Sequence, residues 1–177
     1  MCAMLPELHA LHGAPESVWL DIRVADRQDP IEVDFRLFNK SKTRLPEAAF
    51  VTFRPDTHGE GQWQMDKLGT WLDPRDALNG STHGLHAVSR GVRYTDGGGR
   101  AAMFETVDAG VVRWGEPFPF PTPMFTHGHT CSQPIDWGEG ASFMLWNNIY
   151  STNYVMWFPY SDADRAGDLL FRFRMML

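Results

Sequence analysis

Two stretches far apart in the chain alternate apolar and charged residues with a period of two, and nothing else constrains the fold as strongly. In the first, Ile31, Val33, Phe35 and Leu37 are separated by Glu32, Asp34 and Arg36. In the second, Leu169, Phe171, Phe173 and Met175 are separated in part by Arg172 and Arg174. Successive side chains of a strand point to opposite faces, so each stretch reads as a half-buried strand with its charges in water. Val18, Leu20, Ile22 and Val24 repeat the pattern around Asp21 and Arg23, and the turn-forming "DRQDP" that follows makes this segment an antiparallel neighbour of residues 31–37.

The same reading extends along the chain. "EAAFVTFRP" and "GQWQMDKL" are strands, and "GVRYTD" and "RAAMFETVD" flank Gly97-Gly98-Gly99, which permits a hairpin turn. "VVRW", "ASFMLWNNIY" and "NYVMWFPY" follow, with Phe143, Leu145 and Asn147 placed on one face and Trp146 and Asn148 on the other. The proline-rich "GEPFPFPTPMFTHGHTCSQP" cannot sit inside a sheet. Helical spacing occurs only over residues 5–12, closed by Gly13. About ten short strands with frequent turn signals predict an all-β, two-sheet antiparallel β-sandwich with one short N-terminal helix. Residues 1–17 read as an N-terminal segment and 18–177 as a single domain.

Composition excludes several functions. A net charge of −6 without a basic run argues against a nucleic-acid surface. No window has the about 18 consecutive apolar residues of a membrane span. "MCAMLPELHALHGAP" lacks the charged start, apolar centre and cleavage site of a signal peptide, so a cytoplasmic location is expected. Cys2 and Cys131 form neither a disulfide framework nor a thiolate metal motif. No phosphate-binding loop, dinucleotide fingerprint or nucleophile elbow is present.

Candidate chemistry falls into three groups. His83, His86, His127 and His129 form two close pairs that offer imidazole ligands to a metal ion, although no carboxylate motif frames them. No other cofactor is indicated. Asp66, Asp73, Asp76, Glu105, Asp108, Asp136 and Glu139 supply carboxylates, but no spacing selects the pair that glycoside hydrolysis requires. Asp73-Pro74 and Asp136-Trp137 look like turn or cap chemistry. The third group is mixed: Asp66, Lys67, Trp71 and His86 lie within residues 65–88, and Trp137 and Asn148 add an aromatic face and an amide elsewhere. Hydroxyl acceptors and donors beside a flat apolar surface are what a pyranose ring needs.

Four blocks then carry a resemblance: "TRLPEAAFVTFRP", "WQMDKLGTWLDPRDALNGSTHGLHAVSRGVRYTDGGG", "GEPFPFPTP" and "LWNNIYSTNYVMWFPY" with "DLLFRFRM". Together they resemble the C-terminal β-rich region of a family related to glycoside hydrolase family 38, the α-mannosidases. The resemblance covers about residues 30–177. It implies a sandwich of the mutarotase-like type that frames a sugar-binding cleft. In α-mannosidases the zinc and the nucleophile belong to an N-terminal α/β barrel, for which 177 residues leave no room. The resemblance therefore implies no catalytic residue here, and it implies a partner: an N-terminal catalytic domain, with a homo-oligomer as the alternative. A carbohydrate-associated sandwich is the leading expectation. A small metal-dependent enzyme using the histidines and a purely structural module remain open beside it.

Overall fold

The computed structural model describes residues 2–26, 29–41, 47–55, 61–76, 85–115, 117, 135–147 and 167–177. In chain order its elements are β1 (Cys2–Ala3), α1 (Pro6–His12), β2 (Ser17–Arg23), β3 (Ile31–Lys40), β4 (Ala48–Phe53), β5 (Gln62–Lys67) and β6 (Thr70–Leu72). They continue with β7 (His86–Ala87), β8 (Gly91–Thr95), β9 (Ala101–Thr106), β10 (Val111–Trp114), β11 (Ala141–Asn147) and β12 (Gly167–Met176). Short 3-10 turns occupy Pro74–Asp76 and Trp137–Glu139. No helix among the described residues is long and apolar enough to cross a membrane.

The expected all-β architecture is present. One sheet has eight strands in the order β1-β2-β3-β12-β9-β8-β5-β6, and the other has four in the order β4-β11-β10-β7. Every described pairing is antiparallel. The apolar residues of β3 and β12 face the core as their patterns require, whereas Leu20 and Ile22 of β2 stay exposed and Asp34, expected in water, is 4% exposed beneath its arginine partners. Phe173 of β12 sits opposite Val33 of β3, and both are buried, while Arg172 and Arg174 point to the other side beside Asp34 and Glu32.

Aromatic rings join the two sheets. Phe53 and Phe143 come from the four-stranded sheet, Phe104 and Phe173 from the eight-stranded one, with ring centroids 5.1–5.8 Å apart. Trp63 of β5 meets Trp114 of β10 at 6.4 Å. Tilted and edge-on arrangements at these distances favour such pairs beyond simple burial. All of these residues but Phe53 belong to one buried hydrophobic cluster, and Phe53 packs against it, so the sheets share a single core.

Three local features differ from the sequence expectation. β6 is a strand that no alternation signalled: Leu68 and Gly69 form a two-residue turn with φ of 54° and 88°, and Lys67 pairs with Thr70 across it. Such a turn normally favours Asn-Gly, and leucine hides the signal. β11 carries a bulge between Met144 and Trp146, which resets the alternation. Trp146 consequently reaches Phe171 of the other sheet, with centroids 6.4 Å apart, on the same side as Phe143 and not opposite it. The strand expected at "NYVMWFPY" and the proline-rich segment apart from Gly115 and Pro117 lie outside the described residues.

Candidate functional site

The mixed group around residues 65–88 divides between two places. Asp66 is 1% exposed, and its carboxylate is engaged inside the hairpin. Its Oδ1 accepts the Gly69 N–H at 2.7 Å, and its Oδ2 lies 3.5 Å from Nε of Arg90. Ser89 closes the turn from the side, its Oγ accepting the Leu68 N–H at 2.8 Å. Lys67 and Asp66 do not form an ion pair with each other among the described contacts. The Lys67 ammonium donates to the Ala87 carbonyl, and burial lowers its pKa below the ordinary lysine value. Asp66 therefore holds a turn, and Lys67 ties the hairpin to β7.

Trp71 stands opposite Asp66 in the β5–β6 pair. Its ring is occupied by cations: the Arg93 guanidinium lies 4.6 Å from the centroid and that of Arg90 5.8 Å. Arg93 is itself held by Gln64, whose Oε1 accepts from Nε at 2.7 Å. His86 lies on β7, 6% exposed and edge-on to Trp114 at 5.6 Å. His83, His127, His129 and Asn148 lie outside the described residues. Among the described residues no group of three or more His, Cys, Asp or Glu side chains is arranged to hold a metal ion.

Trp137 is where the structure opens a cleft. Asp136 caps the short turn that carries it, Oδ1 accepting the Gly138 N–H at 2.9 Å, as its sequence context predicts. The Trp63 indole N–H donates to the Trp137 carbonyl at 3.3 Å, and the Trp137 ring packs 6.1 Å from Trp114. Together with Gly61, Asp73 and Arg75, the two tryptophans line a cleft of about 70 Å³. Trp137 and Asp73 stand out in the sequence, but nothing there signals Gly61, Trp63 or Arg75, which meet at the cleft only through the β5–β6 hairpin and its following turn.

One wall of the cleft is charged and closely hydrogen-bonded. Asp73 receives Arg75 Nη2 at 2.6 Å and Nε at 2.9 Å, the Arg75 backbone N–H at 2.8 Å, and Gln62 Nε2 at 2.8 Å. Arg75 in particular holds the Asp73 carboxyl at about 2, below its ordinary 3.8. A depressed carboxylate adds stability that is complete above its unfolded pKa and lost as pH falls through its folded pKa. For Asp73 that window runs from about pH 4 to about pH 2. The loss is expected to be below about 2 kcal/mol, because Arg75 is mostly in water. Urea midpoints of wild type and Asp73→Asn at three pH values check this: the difference between them should shrink as the pH passes from 4 to 2. A difference that stays constant over this range refutes the assignment.

Asp73 at about 2 stays ionised at neutral pH and cannot act there as a general acid. No second carboxylate lines the cleft among the described residues. Compared with protein-family models, curated proteins and solved structures, the chain matches none of them.

Proposed function

We propose that this protein is a carbohydrate-associated β-sandwich that binds one edge of a neutral sugar at the Trp137 cleft, without turning it over. The cleft itself is the observation that carries this reading. A half-buried indole stands against an ionised Asp73–Arg75 pair. A pyranose offers an apolar face and hydroxyls that both donate and accept, so it matches both walls. Arg75 uses Nε and Nη2 on Asp73, and among the described residues the donors of Nη1 are left for a ligand.

The size of the site sets the strength. At about 70 Å³ it is well below the roughly 300 Å³ of pockets that enclose a whole small molecule. Only one edge of a ring enters, so affinity is expected near the millimolar level, about 4 kcal/mol. The resemblance to the region that follows the barrel in α-mannosidase-like proteins agrees with a framing role, in which the chemistry belongs to a separate catalytic domain.

Titration with mannose- and glucose-based oligosaccharides, followed by NMR or tryptophan fluorescence, tests the proposal. Trp137→Ala should abolish the response while Trp71→Ala leaves it, since the Trp71 ring is covered by arginines. Binding that persists in Trp137→Ala moves the site elsewhere. Release of reducing sugar by the chain alone would overturn the non-catalytic half.

A further inference from the structure

β2 is a long strand with an open edge. β1 pairs only with Ser17 and Val18, and among the described residues no strand pairs with residues 20–24 on the side away from β3. The β2–β3 register runs from Ser17↔Phe38 to Arg23↔Glu32 without a bulge, and β2 contains no proline. Regular, bulge-free edges of this kind are templates for another strand, and proteins usually blunt them. The inner face here is also uncovered: Leu20, Ile22 and Val24 are 48%, 58% and 67% exposed. Yet Leu20 and Ile22 stand opposite Phe35 and Val33, which belong to the core cluster or pack against it.

The segment Leu20-Asp21-Ile22-Arg23-Val24 complements itself. We propose that two copies of the chain pair through β2, antiparallel and edge to edge, with the two-fold axis at Ile22. That register sets Ile22 against the second copy's Ile22 and Leu20 against its Val24, all on the apolar face. On the other face it sets Asp21 against the second copy's Arg23. Within one chain Asp21 stands opposite Asp34, a like-charge pair bridged by Arg36 at 3.4 Å and 3.2 Å. Arg23 bonds Glu32 at 3.1 Å and Asp34 at 3.0 Å within its own chain, and in this register the second copy's Arg23 brings that network against Asp21, so opposite charges face each other across the seam, which favours the register. A shift of the pairing by one residue opposes Asp21 to the second copy's Ile22 or Val24 and mixes the faces. The row Phe173–Val33–Ile22 would then continue into the second copy as one apolar band across a single extended sheet.

Sedimentation of the full chain from about 1 to about 100 µM should show a concentration-dependent dimer. Ile22→Lys places two ammonium groups opposite each other at the axis and should weaken association about 100-fold. The side chain at 22 is exposed, and far-UV circular dichroism reports whether the variant keeps its fold. The register has its own test, which does not depend on that variant. With Cys2→Ser and Cys131→Ser in place, Ile22→Cys should oxidise to a covalent dimer far faster than Leu20→Cys, because only residue 22 meets its own counterpart. Directly opposed residues lie about 4.5–5.5 Å apart at Cα, within reach of a disulfide. A monomer at every concentration overturns the proposal, as does a dimer that a folded Ile22→Lys leaves intact. Equal crosslinking at positions 20 and 22 rejects the register.

Discussion

Replacing Phe143 by alanine is expected to cost about 3–5 kcal/mol of folding stability, the range for deleting a large ring from a close-packed core. Phe143 is fully buried on β11 and touches Phe53 at 5.8 Å and Phe173 at 5.4 Å. Removing it leaves a hole where both sheets meet, and neighbouring rings on regular strands have little freedom to collapse into it. Against a typical total of about 5–15 kcal/mol, such a loss brings the domain close to unfolding. Denaturant titration of wild type and Phe143→Ala measures the effect, with Leu170→Ala as a comparison because Leu170 is 42% exposed and not in the core cluster. Leu170→Ala should cost well under about 1 kcal/mol. A Phe143→Ala loss equally small, or separate transitions for two parts of the chain, would show that the sheets do not share one core.

The two period-two segments made the fold class legible before any coordinates, because burial on one face is written directly into β3 and β12. Their placement was not. β12 is the last strand of the chain, yet it lies between β3 and β9, and no local pattern encodes a pairing of Phe173 with Val33. Trp146 shows a second limit. A one-residue bulge turns it inward, and nothing in "ASFMLWNN" marks where alternation will slip. Residues 65–88 show a third. Asp66 and Lys67 were visible as polar groups, but their partners Arg90, Gly69 and Ala87 are set by the hairpin and by β7. Charge is local information and its use is tertiary. Asp136 and Asp73 are the counterexample: both cap short turns, as Asp-Trp and Asp-Pro suggest, because capping involves only the next few residues.

Gly140 links the stability of the fold to the geometry of the cleft, and Gly140→Ala is expected to cost about 2–5 kcal/mol. It ends the Trp137–Glu139 turn at φ 85°, ψ −164°, a backbone region that essentially only glycine occupies. Space forbids a side chain as well. A Cβ there would lie 2.4 Å from the Phe53 carbonyl oxygen and 3.0 Å from the Arg54 Cα, both backbone atoms of β4 or its end. β4 cannot retreat without breaking its pairing with Ala141 and Ser142, so the turn must move instead. That movement carries Trp137, its bond from Trp63 and the mouth of the cleft. Gly69→Ala is the comparison: Gly69 also has a positive φ, 88°, but nothing lies within 4 Å of its Cβ position. It should cost only the backbone strain, about 1 kcal/mol, and leave the cleft unchanged. Paired denaturation curves separate strain from collision, and the NMR spectrum of the Trp137 indole N–H, assigned by its loss in Trp137→Ala, reports the turn. If Gly140→Ala proves no worse than Gly69→Ala, with an unaltered spectrum, the close approach to β4 does not position Trp137.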